Sequence, residues 1–348
     1  MSNINQQSSA FITDAQSTLW GTVPSSDNSS IGTGLTAWNS FKKILDRSAN
    51  GSSMLSTQIL ISTYNLLNTY PSGNYHGGVL NPNGDIHLVP YNSSGSAMTG
   101  QKISIYTNVV TTYNLITTPS FGYSGGILDP NGNVHFVPFN ASVGQKVSPT
   151  GVVSTYSLIY TGFTTNYRGG VLAPNGDIHF VPYGASVGTK VSSAGVVSTY
   201  SLAYTTSGAA YAGGVLSPNG DIHFVPYLAT RGQKVSAAGV VSTYSLVYTN
   251  SLSAYWGGVL TPNGDIHFIP NSSSAPGQKV SSAGVVSTYS LNTLVTSGSY
   301  TGGVLDNNGN IYLIGSSNTF APGILKMSAI SGVPYRIGTT LSSFISKF

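Results

Sequence analysis

The chain has no cysteine and no glutamate, and only 6% of its 348 residues are charged, against about 25% in an ordinary soluble domain. Without cysteine there are no disulfides and no thiolate metal ligands. With glutamate absent and lysine, arginine and methionine scarce, a helical bundle is disfavoured. Gly, Ser, Thr, Val and Tyr dominate instead, and they favour strands and turns. No apolar run approaches the roughly 18–20 residues of a membrane span. The first residues lack the basic start and apolar stretch of a secretory signal, so none is expected. Nucleophile elbow, HExxH, Walker and dinucleotide signatures are all missing. Together with the missing glutamate, this sets the expectation that the chain is not an enzyme and uses no metal or cofactor. What is present excludes a disordered chain: 40% of residues are hydrophobic and the net charge is only +4.

The dominant feature is repetition. A Gly-Gly pair begins at Gly77, Gly125, Gly169, Gly213, Gly257 and Gly302, and GVVSTYSL recurs at 151–158, 195–202, 239–246 and 284–291. Each unit divides into four short strands: GGVL, then DIHFVP after a Pro-Asn-Gly turn, then TKVS or QKVS, then VVSTYSL after a Ser-Ala-Gly turn. Proline presets such a turn and glycine takes its left-handed position. Alternation sets Ile178 and Phe180 on one face of the second strand and Asp177, His179 and Val181 on the other. Four strands per unit at this length are the pattern of a β-propeller blade.

A copy of the fourth strand, LISTYNL at 60–66, precedes the first Gly-Gly, and the last unit has only a degenerate fourth strand. The economical reading is an all-β propeller of six four-stranded blades, closed by the N-terminal strand. Seven blades, with 12–66 as a divergent one, is the alternative. The propeller then covers 59–340, with an N-terminal extension at 1–58 and a tail at 341–348. Within the extension Leu35, Trp38, Phe41 and Leu45 recur at roughly helical spacing. This predicts a short amphipathic helix, with Trp38, Phe41 and Leu45 as a docking segment.

On these motifs the chain resembles known families. The GGVLxPNGxI repeat resembles propeller repeats of large DNA viruses, some phages, bacteria and algae. The succession PNGDIHFVP, QKVS, VVSTYSL is similar to that of streptogramin-lyase-like and NHL-type propellers. The resemblance implies a propeller fold and says little of function, because propellers host enzymes, lectins and scaffolds. It also implies, for the lyases, a histidine acting with a glutamate and a divalent metal. No residue here is assigned that role, since glutamate is missing.

Two positions recur with chemical content. His87, His135, His179, His223 and His267 each follow Asp or Asn by two residues. They are expected to be structural, in His–Asp hydrogen bonds or packing between blades. Lys102, Lys146, Lys190, Lys234, Lys279 and Lys326 fall one per unit, too dispersed for a nucleic-acid patch, and are expected to be solvated.

Variation concentrates in the loops that join one unit to the next. Tyr75, Tyr123, Tyr167, Tyr211, Tyr255 and Tyr300 stand two residues before each Gly-Gly, and the residue between changes every time, as His76, Arg168 and Trp256 show. Loops on a rigid scaffold are where binding is usually built, so these nine residues form the expected ligand- or partner-binding rim. The functional expectation is a non-enzymatic structural or attachment propeller of a virion, capsid-associated or part of a fibre or spike. It would bind other structural proteins of a large assembly, copies of itself among them. A glycan-binding propeller is one alternative, and a metal-dependent lyase or hydrolase, disfavoured without glutamate, the other.

Overall fold

The computed structural model describes residues 65–67, 75–315 except for short loop stretches (chiefly 92–98 and 292–299), and 325–327. All belong to one compact unit, Tyr64–Phe348. Among the described residues there is no helix. Six antiparallel sheets follow one another along the chain, five with four strands and the last with three, and they resemble propeller blades. The predicted helix with Trp38, Phe41 and Leu45, most of the strand at 60–66, the degenerate last strand and the tail at 341–348 lie outside the described residues.

The third sheet shows how the sequence builds each one. Its strands are Tyr167–Leu172, Ile178–Pro182, Val187–Val191 and Val197–Ser201, paired antiparallel in chain order. Gly176, at φ 85°, takes the left-handed position of the first turn, and its N–H donates to Ala173 O at 3.0 Å. The Gly-Gly pair has two separate duties. Every first strand shifts register just after its tyrosine, as a β-bulge does, and Gly77, Gly125 and Gly169 there have φ of 93°, 96° and 71°. The second glycine lets neighbouring sheets close up. A Cβ on Gly214 would stand 2.6 Å from Val171 of the preceding sheet, and one on Gly258 2.6 Å from Val215.

The core lies between sheets. Val171 and Val181 of the third sheet pack with Tyr211, Ile222, Phe224 and Val235 of the fourth, and the arrangement repeats along the chain. Hence both faces of a second strand are buried: Phe180 and Val181 are each 0% exposed. Period-two alternation therefore marks which neighbouring sheet a residue meets, and does not separate core from solvent.

The recurring histidines are buried and structural, but their partner is a tyrosine of the fourth strand. His179 Nδ1 lies 3.2 Å from Tyr200 Oη, and the other four pairs span 3.0–3.3 Å. The expected His–Asp bond is made only by His135, to Asp129 at 3.2 Å. The aspartate two residues earlier is taken by lysine: Lys190 Nζ donates to Asp177 at 2.7 Å, and Lys102, Lys234 and Lys279 bond Asp85, Asp221 and Asp265 in the same way. These four lysines, expected to be solvated, are thus ion-paired, with 26–36% of each side chain still exposed. The cause is register, which sets His179 opposite Lys190 and brings the lysine stem past the strand end to the carboxylate.

The tyrosine rings lie on the third-strand glycines. A Cβ on Gly188 would overlap the Tyr200 ring, whose hydroxyl is tied to His179. Gly188→Ala should therefore destabilise by about 1–3 kcal/mol through overpacking. Gly195→Ala is the control. Its φ of 82° carries a strain of about 1 kcal/mol, and its Cβ would meet nothing within 4 Å. Urea midpoints of the two variants check the order.

Candidate ligand site where the first strands meet

The first strands of all six sheets border one cavity of about 210 Å³, lined by His76, Ser124, Arg168, Ala212, Trp256, Thr301 and the Gly-Gly backbone. These six side chains are the variable residues between each tyrosine and its Gly-Gly. The structure thus brings His76, Arg168 and Trp256 together, as the sequence expectation required of a rim.

It does not bring the tyrosines with them. Tyr123, Tyr167, Tyr211, Tyr255 and Tyr300 are at most 1% exposed, inside the inter-sheet core. Their hydroxyls reach the third strand: Tyr211 donates to Arg231 O and Tyr255 to Pro276 O, both at 3.0 Å, and Tyr167 Oη lies 2.6 Å from Thr189 Oγ1. Tyr75, half-buried, donates likewise to Thr99 O at 2.8 Å. Burial pushes the hydroxyls of Tyr123 and Tyr167 up to about 12. Adjacent residues of a strand point to opposite faces, so only one member of each Tyr-X pair can border the cavity, and the core takes the tyrosine.

Arg168 is the distinctive residue. Its guanidinium carbon stands 3.6 Å from the centroid of the Trp256 ring, 5.2 Å from Tyr183 and 5.9 Å from Phe139. Its buried Nε has no hydrogen-bond partner. Burial lowers its pKa, opposed by the neighbouring tyrosines, yet a guanidinium stays charged. Among the described residues no carboxylate pairs with it. Every described aspartate flanks a turn after GGVL or its equivalent, at the other end of the first strands.

An aromatic belt surrounds this charge, and sequence reasoning missed it. Tyr91, Phe139, Tyr183 and Tyr227 each follow the proline that ends a second strand. Their rings run in a series to Trp256, with centroids 6.1, 5.8, 5.6 and 5.4 Å apart. A signal existed in the recurring VPY and VPF. At the other end of the series His76 lies 5.1 Å from Tyr91, and its Nδ1 is 3.1 Å from Ser124 Oγ. Burial, and then the charge of Arg168, lower His76 to about 4, so it is neutral at pH 7. The cavity therefore offers one fixed cation, the indole of Trp256 and a neutral imidazole–hydroxyl pair, with the belt packed behind Arg168. Among the described residues there is no group of three or more His, Cys, Asp or Glu able to hold a metal ion.

No family model matches the chain, and no curated protein matches it in sequence. Solved structures do share the fold. A catalytically inactive virginiamycin B lyase from Staphylococcus aureus, crystallised with quinupristin, is 15% identical with a TM-score of 0.63, over 77% of this chain and 84% of that one. A streptogramin B lyase is 17% identical with a TM-score of 0.58, over 76% and 86%. The similarity to streptogramin-lyase-like propellers is thus shown at the level of fold. It also corrects the expectation that the chain is not an enzyme, because the architecture is one that lyases use and gives no ground for excluding catalysis.

Proposed function

We propose that this chain is a recognition propeller that holds a ligand, or a group on a surface, in the cavity where its first strands meet. One observation carries the reading: Arg168 is a largely buried cation with no carboxylate beside it among the described residues, stacked on Trp256 within an aromatic belt. Trp, Tyr and Arg are the residues in which binding energy concentrates. The setting we propose is attachment within a large assembly such as a virion. The low charge of the chain supports it, since few charges must be desolvated on contact. A glycan array probed with the full chain tests the recognition reading. Trp256→Ala should weaken retained signals by about 2 kcal/mol or more, whereas Asn175→Ala with Asn219→Ala, in the opposite turns, should cost stability and leave binding alone. Loss in the turn variant and retention in Trp256→Ala would overturn the assignment.

The same proposal includes six blades, with 60–66 as the fourth strand of the last and 59–340 as the propeller. The extension at 1–58, with Trp38, Phe41 and Leu45, is then a docking segment. The sixth sheet has three strands among the described residues. Leu67 N–H donates to Gln101 Oε1 at 2.9 Å. Ile116 and Val247, which follow fourth strands, make the same bond to Gln145 and Gln278 of the next sheet. The residues after 60–66 therefore enter the first sheet as the residues after a fourth strand do.

A second reading has its own observation. The contact between Ser124 Oγ and His76 Nδ1 is the beginning of a nucleophile–base pair, although an imidazole held near 4 is a weak base at pH 7. Hydrolysis of a chromogenic acetyl ester by the wild type, lost in Ser124→Ala, would support it. Equal rates in the two would end it.

A further inference from the structure

We infer that the group recognised beside Arg168 is a carboxylate, carried by an acidic sugar whose ring lies against Trp256. The inference rests on the recognition reading above and specifies its ligand.

Stacking engages the face of a guanidinium and leaves its edge, where the N–H donors are. Trp256 occupies the face of Arg168 at 3.6 Å, and the buried Nε has no partner. An arginine edge of this kind matches the two oxygens of a carboxylate. Inside the described structure the match is unmet, because the ion pairs at the turn end use Asp85, Asp129, Asp177, Asp221 and Asp265. A purely structural cation in this position would be expensive: burying a charge without a counter-charge costs several kcal/mol. A bound anion removes that cost.

The rest of the ligand follows from the walls. Trp256 presents an apolar ring with a polar N–H edge, and His76, Ser124 and Thr301 present polar groups beside it, a lining that suits the C–H face of a sugar and its hydroxyls. The cavity volume of about 210 Å³ is below the roughly 300–1,000 Å³ of pockets for drug-sized ligands, so it takes a terminal ring and not a chain. One arginine with a neutral His76 supplies a single positive charge, which balances a monoanion.

The test uses the full chain and three probes, glucuronic acid, glucose and glucose 6-sulfate, followed by tryptophan fluorescence and isothermal titration. Glucuronic acid should bind with Kd of about 1 mM or tighter, and glucose at least about tenfold more weakly. Arg168→Gln should lose that preference, and Arg168→Lys should keep only part of it, because an ammonium keeps the charge without the fork. Melting curves establish that both variants are folded. If Arg168→Gln fails to fold, Arg168→Lys and the salt dependence of wild-type binding carry the test. Tighter binding of the sulfate would overturn the carboxylate assignment. Equal binding of glucuronic acid and glucose, or no binding of glucuronic acid, would overturn the inference as a whole. The recognition reading would still stand if Trp256→Ala lowers retention on the glycan array, and it fails with the inference if it does not.

Discussion

Lowering the pH from 7 to about 4.5 should remove most of the stability of the sheets, before Asp129, Asp177, Asp221 and Asp265 are protonated in the folded chain. His87, His179, His223 and His267 are each held at about 4, first by burial and then by the charge of the facing lysine, with the nearby aspartate opposing. An unfolded histidine titrates near 6.5. Between these values the unfolded chain binds protons that the folded one does not, so stability rises with pH there. The contribution is complete above about pH 6.5 and lost as the pH falls towards 4. It amounts to about 3 kcal/mol per histidine at most, so four together approach the whole stability of about 5–15 kcal/mol of a typical domain. Below pH 4 four aspartates continue in the same direction. Asp129 is held at about 2, where burial works to raise it and the hydrogen bonds from His135 and Asn133 prevail. Asp177, Asp221 and Asp265 are likewise lowered by their lysines against the effect of burial. Urea midpoints at pH 7, 6, 5 and 4.5 measure the effect, and a flat series would contradict it. His179→Phe and His223→Phe, equivalent positions in adjacent sheets, should each cost a similar amount at pH 7 and make the pH series shallower.

The parts of this structure that were legible in the sequence are those fixed by local chemistry. Pro-Asn-Gly and Ser-Ala-Gly set the hairpins, and Gly-Gly marks the bulge where each first strand bends. Unit length follows from counting between them. The site was half legible. Arg168 and Trp256 stood out because they vary in an otherwise constant frame. Their neighbours Tyr167 and Tyr255 were grouped with them because adjacency in sequence suggests adjacency in space, and strand alternation separates them. What could not be read depends on distances between sheets. That His179 meets Tyr200, 21 residues on, and that Lys190 reaches Asp177, follow from register. The belt of Tyr91, Phe139, Tyr183 and Tyr227 exists only because neighbouring sheets stand close enough for successive rings to touch, a spacing set by the second glycine of each pair.

Removing residues 1–66 should cost the protein far more than removing 1–50. If 60–66 is the fourth strand of the last sheet, then Ile61, Tyr64 and Leu66 stand where Val197, Tyr200 and Leu202 stand in the third, where Tyr200 and Leu202 pack against the core cluster between the third and fourth sheets and Val197 against that between the second and third. Each such side chain is worth roughly 1.5–3 kcal/mol when fully buried. Loss of all three, with the ladder hydrogen bonds of a strand, therefore amounts to about 5 kcal/mol or more. That is on the scale of a typical domain's total stability. It would also leave the third strand of the last sheet, Leu325–Met327, as an unpaired edge, which is a template for association between chains. The 67–348 fragment should thus melt far below the full chain and aggregate. The 51–348 fragment, which keeps the strand and loses only Trp38, Phe41, Leu45 and their surroundings, should melt close to the full chain while losing whatever partner the extension engages. A 67–348 fragment as stable as the full chain would remove the closing strand from the fold. A 51–348 fragment as unstable as 67–348 would instead make the extension part of the core.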